Sequence, residues 1–459
     1  MTDAVTRLKS QLEGLLWPAL PSTPGATLLS LLYQFEESQW WPGEKLLAAQ
    51  LRQLAVLLRH ARATVPYYRQ RLAGLDPGQE LTLERWRALP ILTRSDLQSL
   101  GRDLVSDALP SGFGATAESQ TSGATGQPVT VRKSGLDGLI WEAMTMREHL
   151  WHGRDFGGKL AVIRPMTGTL GAPPDGTQLP DWGPPVNQLF ATGPAAVLRL
   201  GTDVATQAEW IKRQRPDYLL TFPNNLMALV RHFRERGEIP PPLRAARTVS
   251  ETVSPALRAE CRELWNAAIE DSYSSQELGH IAHQCPESGL YHVMAEGVLV
   301  EVLADDGRPC RPGEIGRLVV TSLHNYAMPL IRYEVRDYAE PGPPCPCGRG
   351  LPTLSRIVGR TRNMLTLPGG RRAWPLIGFM AFREIAPVRQ FQLVQHALED
   401  IEVRLSVGRE LTRGEEEQLA GVINETLGYP FALRFTCSRA ELAPGPGGKF
   451  EEFVSRLAS

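Results

Sequence analysis

Apolar residues near the N-terminus recur every three or four positions, which is the spacing of one face of a helix. Between about Gly43 and Leu72, the residues at this spacing are Leu47, Leu51, Leu54, Leu57 and Leu58. The segment Val65-Pro66-Tyr67-Tyr68 interrupts the pattern, because proline is a helix-breaking signal. We therefore predict a long amphipathic helix with an interruption, and we expect it to contribute packing and no chemistry.

The middle of the chain alternates short apolar runs with stretches of helical periodicity. In chain order, these segments are Leu160-Ala161-Val162-Ile163, 207–213, Tyr218-Leu219-Leu220-Thr221 and 226–235. Alternation of this kind is typical of α/β proteins in which most strands run parallel. We therefore predict an α/β fold for this part of the chain.

A β-rich segment follows, from Gly289 to Tyr333. Strands are predicted at 298–302 and 316–321, because apolar and β-branched residues fill both runs and turn residues such as Asp305-Asp306-Gly307 separate them. We expect this segment to form a β-rich part of the large N-terminal unit.

The last part of the chain, after Gly359, has a pattern of its own. Apolar and polar residues alternate at 401–407, helical periodicity covers about 414–427, and a strand is predicted near 431–435. We predict a small α+β unit of about 100 residues, which is within the usual size of a domain.

Composition and charge narrow the classes of function. The chain has 459 residues, 42% of them hydrophobic, which is ample for a buried core but too long for one compact domain. Its formal net charge is −1 and its basic residues are scattered, which argues against a nucleic-acid partner. The N-terminus lacks a secretory signal and no apolar run reaches eighteen residues, so we expect no membrane partner and a cytoplasmic location. Six cysteines are too few for a disulfide scaffold, and a local cluster of them would indicate a metal.

One loop has the composition of a phosphate-binding site. Thr121-Ser122-Gly123-Ala124-Thr125-Gly126-Gln127-Pro128 combines three hydroxyl residues with two glycines. Glycine allows close approach of the backbone to a polyphosphate, and hydroxyl groups supply hydrogen-bond donors. No Gly-Lys-Ser/Thr follows, so this is not a Walker loop. By itself, the loop is equally consistent with a polar surface loop.

Other motifs give this loop a context. In chain order, they are Val65-Pro66-Tyr67-Tyr68, Leu92-Thr93-Arg94-Ser95-Asp96-Leu97, Tyr273-Ser274-Ser275-Gln276-Glu277-Leu278-Gly279, Pro329-Leu330-Ile331-Arg332-Tyr333, Cys345-Pro346-Cys347-Gly348-Arg349, Gly359-Arg360 and Gly448-Lys449-Phe450. Together with 121–128, they resemble the adenylate-forming ligases, and in particular the phenylacetate-coenzyme A ligase branch. Ala124 departs from that pattern, because the family has a hydroxyl residue at this position.

The resemblance implies an α/β fold with two moving parts. It places a large N-terminal adenylate-forming domain at 1–358, a hinge at 359–363, and a small mobile α+β C-terminal lid domain at 364–459. Arg362 and Asn363 correspond to the hinge, where many members of the family have aspartate. A hinge is defined by the backbone rotation it permits more than by residue type, so the small domain can still turn.

The resemblance also implies roles for single residues. The residues implied to bind nucleotide are Thr121, Ser122, Gly123, Thr125, Gly126, Tyr273, Asp337 and Arg360. Glu277 would hold magnesium, which prefers carboxylate and phosphate oxygens. Lys449 would be catalytic, because its ammonium group can stabilise negative charge between the substrate carboxylate and the α-phosphate. Arg336 replaces a family glycine, and it would be strained if the backbone there has a positive φ.

Cysteine and histidine residues form two short arms that suit a structural zinc ion. The arms are His283-Gln284-Cys285 and Cys345-Pro346-Cys347, with His280 as an alternative ligand. Similar cysteines recur in the ligase branch that the chain resembles. The alternative interpretation is that these are three reduced thiols without a metal.

The resemblance implies an AMP-forming acid–thiol ligase. ATP would activate an aryl or acyl carboxylic acid to an acyl-adenylate with release of pyrophosphate, and coenzyme A would then capture the acyl group. A homodimer is also implied. Arg336, Arg362 and Asn363 leave open an adenylating ligase that passes the acyl group to an amine, a hydroxyl or a carrier-protein thiol. A non-catalytic relative that only binds nucleotide or partners is a third interpretation.

Overall fold

The computed structural model describes residues 8–74, 78–120, 129–360, 364–370, 372–373, 375, 382, 384–440, 442 and 451–457. The helices are α1 (Thr23–Ser38), α2 (Gly43–Thr64), α3 (Pro66–Arg71), α4 (Leu83–Arg87), α5 (Arg94–Leu100), α6 (Gly135–Trp151), α7 (Val186–Leu189), α8 (Val204–Gln214), α9 (Pro223–Arg236), α10 (Pro255–Trp265) and α11 (Arg413–Leu427). Among these described helices, none combines the length and the apolar character that crossing a bilayer requires.

The interrupted N-terminal helix is confirmed. Helix α2 ends at Thr64, and α3 begins at Pro66. Val65 between them is extended, with φ −106° and ψ 117°, because the residue before a proline disfavours the helical region. Leu54, Leu57 and Leu58 of α2 are buried in the core beneath the β-rich part of the sheet.

The strands are β1 (Ala117–Gln120), β2 (Thr130–Lys133), β3 (Leu160–Arg164), β4 (Thr177–Leu179), β5 (Ala195–Arg199), β6 (Tyr218–Thr221), β7 (Ala245–Val249), β8 (Ala268–Ser275), β9 (Gly279–Gln284), β10 (Tyr291–Val293), β11 (Val298–Leu303), β12 (Gly316–Ser322), β13 (Tyr333–Pro341), β14 (Thr353–Arg360), β15 (Leu365–Thr366), β16 (Arg372–Ala373), β17 (Val388–Ala397), β18 (Asp400–Val407), β19 (Ala432–Ser438) and β20 (Phe453–Ser455).

One 12-stranded sheet runs through the large unit, in the order β11-β12-β13-β14-β10-β9-β8-β7-β6-β3-β5-β4. Strands β5, β3, β6, β7 and β8 are parallel, as the alternating pattern predicted. The β-rich segment continues the same sheet with antiparallel strands. Because parallel strands end at one edge, β3, β6, β7 and β8 deliver their last residues to a shared cleft.

The small α+β unit is also present. Its sheet has the order β19-β18-β17-β20, and α11 buries Leu419, Ile423 and Leu427 against the apolar side chains of that sheet. An ion pair of 3.3 Å between Arg389 Nε and Glu235 Oε1 joins this unit to α9 of the large unit. Strand β14 extends to Arg360, so the predicted junction at 359–363 begins inside a strand of the large sheet. The domain boundaries themselves stay predictions.

A buried ion pair joins the N-terminal helices to the large sheet. Arg332, which is 4% exposed, donates from Nε and Nη2 to the two carboxylate oxygens of Glu301, each at 3.0 Å. Trp86 Nε1 donates to the same carboxylate at 3.1 Å. Arg332 Nη1 also donates to the backbone carbonyls of Arg87 and Leu89. The guanidinium group of Arg332, directly before β13, therefore links this strand to β11 and to the end of α4.

Replacing Glu301 with leucine is expected to lower the free energy of unfolding by about 3–5 kcal/mol, because it leaves Arg332 buried without its carboxylate. Urea denaturation followed by tryptophan fluorescence measures this loss. The control is Arg308→Ala, which removes an exposed pair with Glu314 and should leave the midpoint unchanged. A Glu301→Leu midpoint as high as that of the control would contradict the assigned role of the pair.

Candidate active site

A cleft of about 1350 Å³ lies at the carboxyl edge of the parallel strands. One wall carries Tyr273 and Glu277 from β8 and the following turn, and another carries Asp337 from β13. Gln390 and Phe453 of the small unit face the same space. The structure therefore collects predicted site residues that are far apart in the sequence.

Tyr273 and Asp337 are in direct contact. The Tyr273 hydroxyl donates to Asp337 Oδ2 at 2.5 Å, although β9, β10 and β14 separate β8 from β13 in the sheet. Carboxylate oxygens accept hydrogen bonds from hydroxyl groups, as the Tyr273 contact shows. The contact brings together two of the residues predicted to bind nucleotide.

Glu277 lies in the turn between β8 and β9 and is 9% exposed. Arg94, the first residue of α5, donates from Nη1 to Glu277 Oε1 at 3.1 Å. Lys133 is close by, and burial lowers the pKa of its ammonium group even though the carboxylates of Asp137 and Glu277 oppose that shift. The carboxyl group of Glu277 therefore lies close to the side chains of Arg94 and Lys133.

The predicted phosphate loop, residues 121–128, lies outside the described residues, but its flanking strands are in place. Strands β1 and β2, which precede and follow it, pair antiparallel. Ser119 Oγ donates at 2.9 Å to Oε1 of Gln276, the neighbour of Glu277. The end of β1 therefore meets the turn that carries Glu277. Lys449, Arg362, Asn363 and the side chain of Arg360 also lie outside the described residues.

The backbone of Arg336, which replaces a family glycine, has a positive φ. Its φ is +64°, in the left-handed region that glycine adopts freely and other residues adopt at a cost. Ser250, directly after β7, also has a positive φ of +71°. Both residues line the cleft, so strained backbone occurs at two points of its lining.

A charged network that the sequence did not reveal lies deeper in the cleft. Arg154 Nη1 donates to Glu148 Oε2 at 2.8 Å, and Arg154 Nε donates to Glu270 Oε2 at 2.8 Å. Arg247 Nη2 lies 2.9 Å from Glu148 Oε2, and His152 Nδ1 lies 3.2 Å from Glu270 Oε1. Burial alone would raise the pKa of Glu148, but the guanidinium groups of Arg154 and Arg247 outweigh it and hold that pKa well below its usual range. Glu148 is therefore a carboxylate at neutral pH.

The cysteine arms meet, but with a different histidine from the one predicted. Ligand atoms of Cys285, His292, Cys345 and Cys347 all lie within 4.8 Å of one another. His292 Nε2 is 3.3 Å from Cys347 Sγ, and Cys345 Sγ is 3.8 Å from Cys285 Sγ. This set of three sulfurs and one imidazole matches the ligands of structural zinc sites. Burial, with Arg349 nearby, lowers the pKa of His292 to about 4, so its imidazole is neutral, as a metal ligand must be.

His283 and His280 do not join this cluster. His283 Nδ1 lies 3.0 Å from Ser272 Oγ, and His280 Nε2 lies 3.0 Å from Thr145 Oγ1. Strand β9 ends at Gln284, so the strand alternation that would place His283 and Cys285 on one face does not continue to the cysteine. His292 was missed because it belongs to β10, and only the pairing of β10 with β9 brings it near Cys285.

Relatives in sequence are phenylacetate-coenzyme A ligases. The chain is 28% identical to the enzyme of Thermus thermophilus over 357 residues, covering 74% of this chain and 75% of the relative. It is 25% identical to the enzyme of Pseudomonas putida over 405 residues, covering 82% of this chain and 85% of the relative. No protein-family model matches the chain. These similarities confirm the resemblance that the motifs indicated.

Solved structures show the same fold. A 2-hydroxyisobutyryl-CoA ligase in the postadenylation state, in complex with R3-HIB-AMP, aligns with a TM-score of 0.73 at 18% identity, covering 92% of each chain. An anthranilate CoA ligase in complex with anthranoyl-AMP aligns with a TM-score of 0.53 at 17% identity, covering 75% of this chain and 67% of the other. The predicted α/β architecture of a large and a small domain is thereby confirmed.

Changing Glu148 to glutamine is expected to destabilise the protein in a pH-dependent way. Because the folded pKa of Glu148 lies below its unfolded value of about 4.3, the charge contributes stability above that pH. That contribution is lost as the pH falls through the folded pKa. Urea unfolding at a series of pH values should show a loss of about 3–5 kcal/mol at pH 7 that shrinks in acid.

Glu142→Gln on the same helix is the matched control, because Glu142 is only half-buried and accepts a long hydrogen bond of 3.3 Å from Gln188. It should have little effect at any pH. A Glu148→Gln loss that is the same at every pH would contradict the charged state assigned to Glu148.

Proposed function

We propose that this chain is an AMP-forming acid–thiol ligase of the phenylacetate-coenzyme A ligase branch. ATP activates a carboxylic acid to an acyl-adenylate with release of pyrophosphate, and coenzyme A then takes the acyl group as a thioester. The observation that carries the proposal is the contact between Tyr273 and Asp337 in the same cleft as Glu277. A cytoplasmic location and a homodimer belong to the same proposal, supported by the composition and by the resemblance.

The geometry supports a separate role in the reaction for Tyr273, Asp337 and Glu277. Asp337, oriented by the Tyr273 hydroxyl, accepts hydrogen bonds from the ribose hydroxyls and so sets the position of the nucleotide. Arg94 Nη1 donates a hydrogen bond to Oε1 of Glu277. A carboxylate oxygen is the ligand type that magnesium prefers, so Glu277 fits the role of its protein ligand. Bound magnesium would mask the charge of the departing pyrophosphate.

Lys449 is proposed as the residue that stabilises the adenylation transition state. Negative charge develops between the attacking carboxylate oxygen and the α-phosphate, and an ammonium group beside both would stabilise it. The resemblance supports this role, because Lys449 in Gly448-Lys449-Phe450 matches the family's catalytic lysine.

We also propose a structural zinc ion held by Cys285, His292, Cys345 and Cys347. Cys345 and Cys347 lie in the loop between β13 and β14, while Cys285 and His292 lie in and after the turn between β9 and β10. A metal bound to all four would cross-link these two connections. The proposed zinc site belongs to the scaffold of the sheet and takes no part in the proposed chemistry.

Pyrophosphate exchange is expected with at least one aryl or alkyl carboxylic acid, and thioester formation is expected when coenzyme A is added. Replacement of Lys449 with alanine should slow adenylation by about a hundredfold or more. Lys212→Ala, on the surface helix α8, is the matched control and should retain full activity. If no acid supports exchange, the proposed function is wrong. Exchange without a thioester would instead select an amine, a hydroxyl or a carrier thiol as the acceptor.

Purified protein should contain about one equivalent of zinc per chain. Cys347→Ser is expected to remove most of that zinc and to lower the midpoint of thermal unfolding. Cys437→Ser, at an exposed cysteine of the small unit, should change neither the zinc content nor the midpoint. Elemental analysis that finds only traces of zinc in the unmodified protein would overturn this assignment.

A further inference from the structure

Arg164 is the last residue of β3 and lines the cleft. Leu160, Val162 and Arg164 alternate onto the cleft face of this strand, while Ala161 and Ile163 are buried on the other face. Within the part of the chain that the structure describes, Arg164 forms no ion pair with a carboxylate. The Arg164 side chain is exposed and lines the open space of the cleft.

The neighbouring charges increase this positive surplus. Glu148 and Glu270 are the acids of the network, and Arg154 alone bonds to both of them. Arg247 also forms an ion pair with Glu148, with Nη2 2.9 Å from Oε2. Arg164 lies close enough to Arg247 for the two guanidinium groups to repel each other. This group of described residues therefore has two carboxylates and three arginines, and all three arginines line the cleft.

The walls around these arginines are apolar and aromatic. Leu160, Val162 and Leu220 extend from β3 and β6, and the rings of Trp182 and Tyr218, 5.4 Å apart, also line the cleft. In the sheet, β3 lies three strand spacings from β8, where Tyr273 marks the nucleotide end, and three spacings are about 14 Å. A substrate that reaches from one end to the other must therefore have an apolar body of some length.

We infer that the acid activated here carries a second carboxylate at the end remote from the reacting one, and that Arg164, with Arg247 beside it, binds that distal carboxylate. The inference rests on the proposed function and specifies its substrate class: dicarboxylic acids with an apolar or aromatic spacer. Arg164 acts as a specificity-determining residue, because a guanidinium group can hold a carboxylate through two parallel hydrogen bonds. A monocarboxylic acid of the same length would make no such contact with Arg164.

Matched pairs of acids test the inference. Each pair has the same length and differs only in the distal carboxylate: suberate with octanoate, and para-phenylenediacetate with para-ethylphenylacetate. In pyrophosphate exchange, the unmodified enzyme should favour the diacid by at least about tenfold in kcat/KM in one or both pairs. Arg164→Gln should abolish that preference by raising KM for the diacid, with KM for the monoacid and for ATP unchanged.

Arg199→Gln is the matched control. Arg199 is the register partner of Arg164 on β5 but does not line the cleft, so this variant should keep the diacid preference. Arg164→Glu should go further and favour para-aminomethylphenylacetate, whose distal ammonium would pair with the new carboxylate.

The outcomes separate the inference from the proposed function. If monoacids are activated as well as diacids, and Arg164→Gln leaves the ratio unchanged, the inference is wrong while the proposed function stands. A rise in KM for ATP in Arg164→Gln would assign Arg164 to the nucleotide and also overturn the inference. If no acid of either class supports exchange, the proposed function fails, and the inference fails with it.

Discussion

The buried pair between Arg332 and Glu301 determines where the walls of the cleft meet. Beyond its bonds to the carboxylate, Arg332 accepts a hydrogen bond of 3.0 Å from Leu92 N, and Leu92 in turn accepts one of 2.9 Å from Glu334 N. These bonds lay the segment before α5 along β13. Arg94 follows two residues later and reaches Glu277 from there. A pair without catalytic chemistry thus positions the acid proposed to hold magnesium.

The backbone of the same region is strained, and the ion pair between Arg332 and Glu301 explains how part of that strain is maintained. Arg332 has a φ of +49° and Arg336 a φ of +64°, so two non-glycine residues in the left-handed region flank the start of β13. Such conformations cost on the order of 1–3 kcal/mol each and persist only where the surroundings enforce them. The ion pair to Glu301 enforces the first. The second strained residue, Arg336, directly precedes Asp337, which accepts a hydrogen bond from Tyr273. The strain therefore lies next to the residue proposed to contact the ribose.

The sequence predicted features that depend on local periodicity or on a continuous motif. The interrupted helix at 43–71, the parallel strands and the grouping of Tyr273, Glu277 and Asp337 all agree with the structure. His292 could not be predicted, because its place among the cysteines depends on which strands pair. The charged network was hidden for the same reason: Arg164 and Arg247 look like isolated charges in two apolar strands until β6 is placed between them. Periodicity finds elements, but strand order decides which side chains share a space.

The charged network of Glu148, Glu270, Arg154 and Arg247 influences which carboxylic acid the cleft would select. Arg154 pairs with both Glu148 and Glu270 and neutralises much of their charge. The charge of Arg164, which lines the cleft, is then available to attract a distal carboxylate. Discrimination between acids of equal length requires such a charged contact, because a merely apolar pocket separates them only weakly.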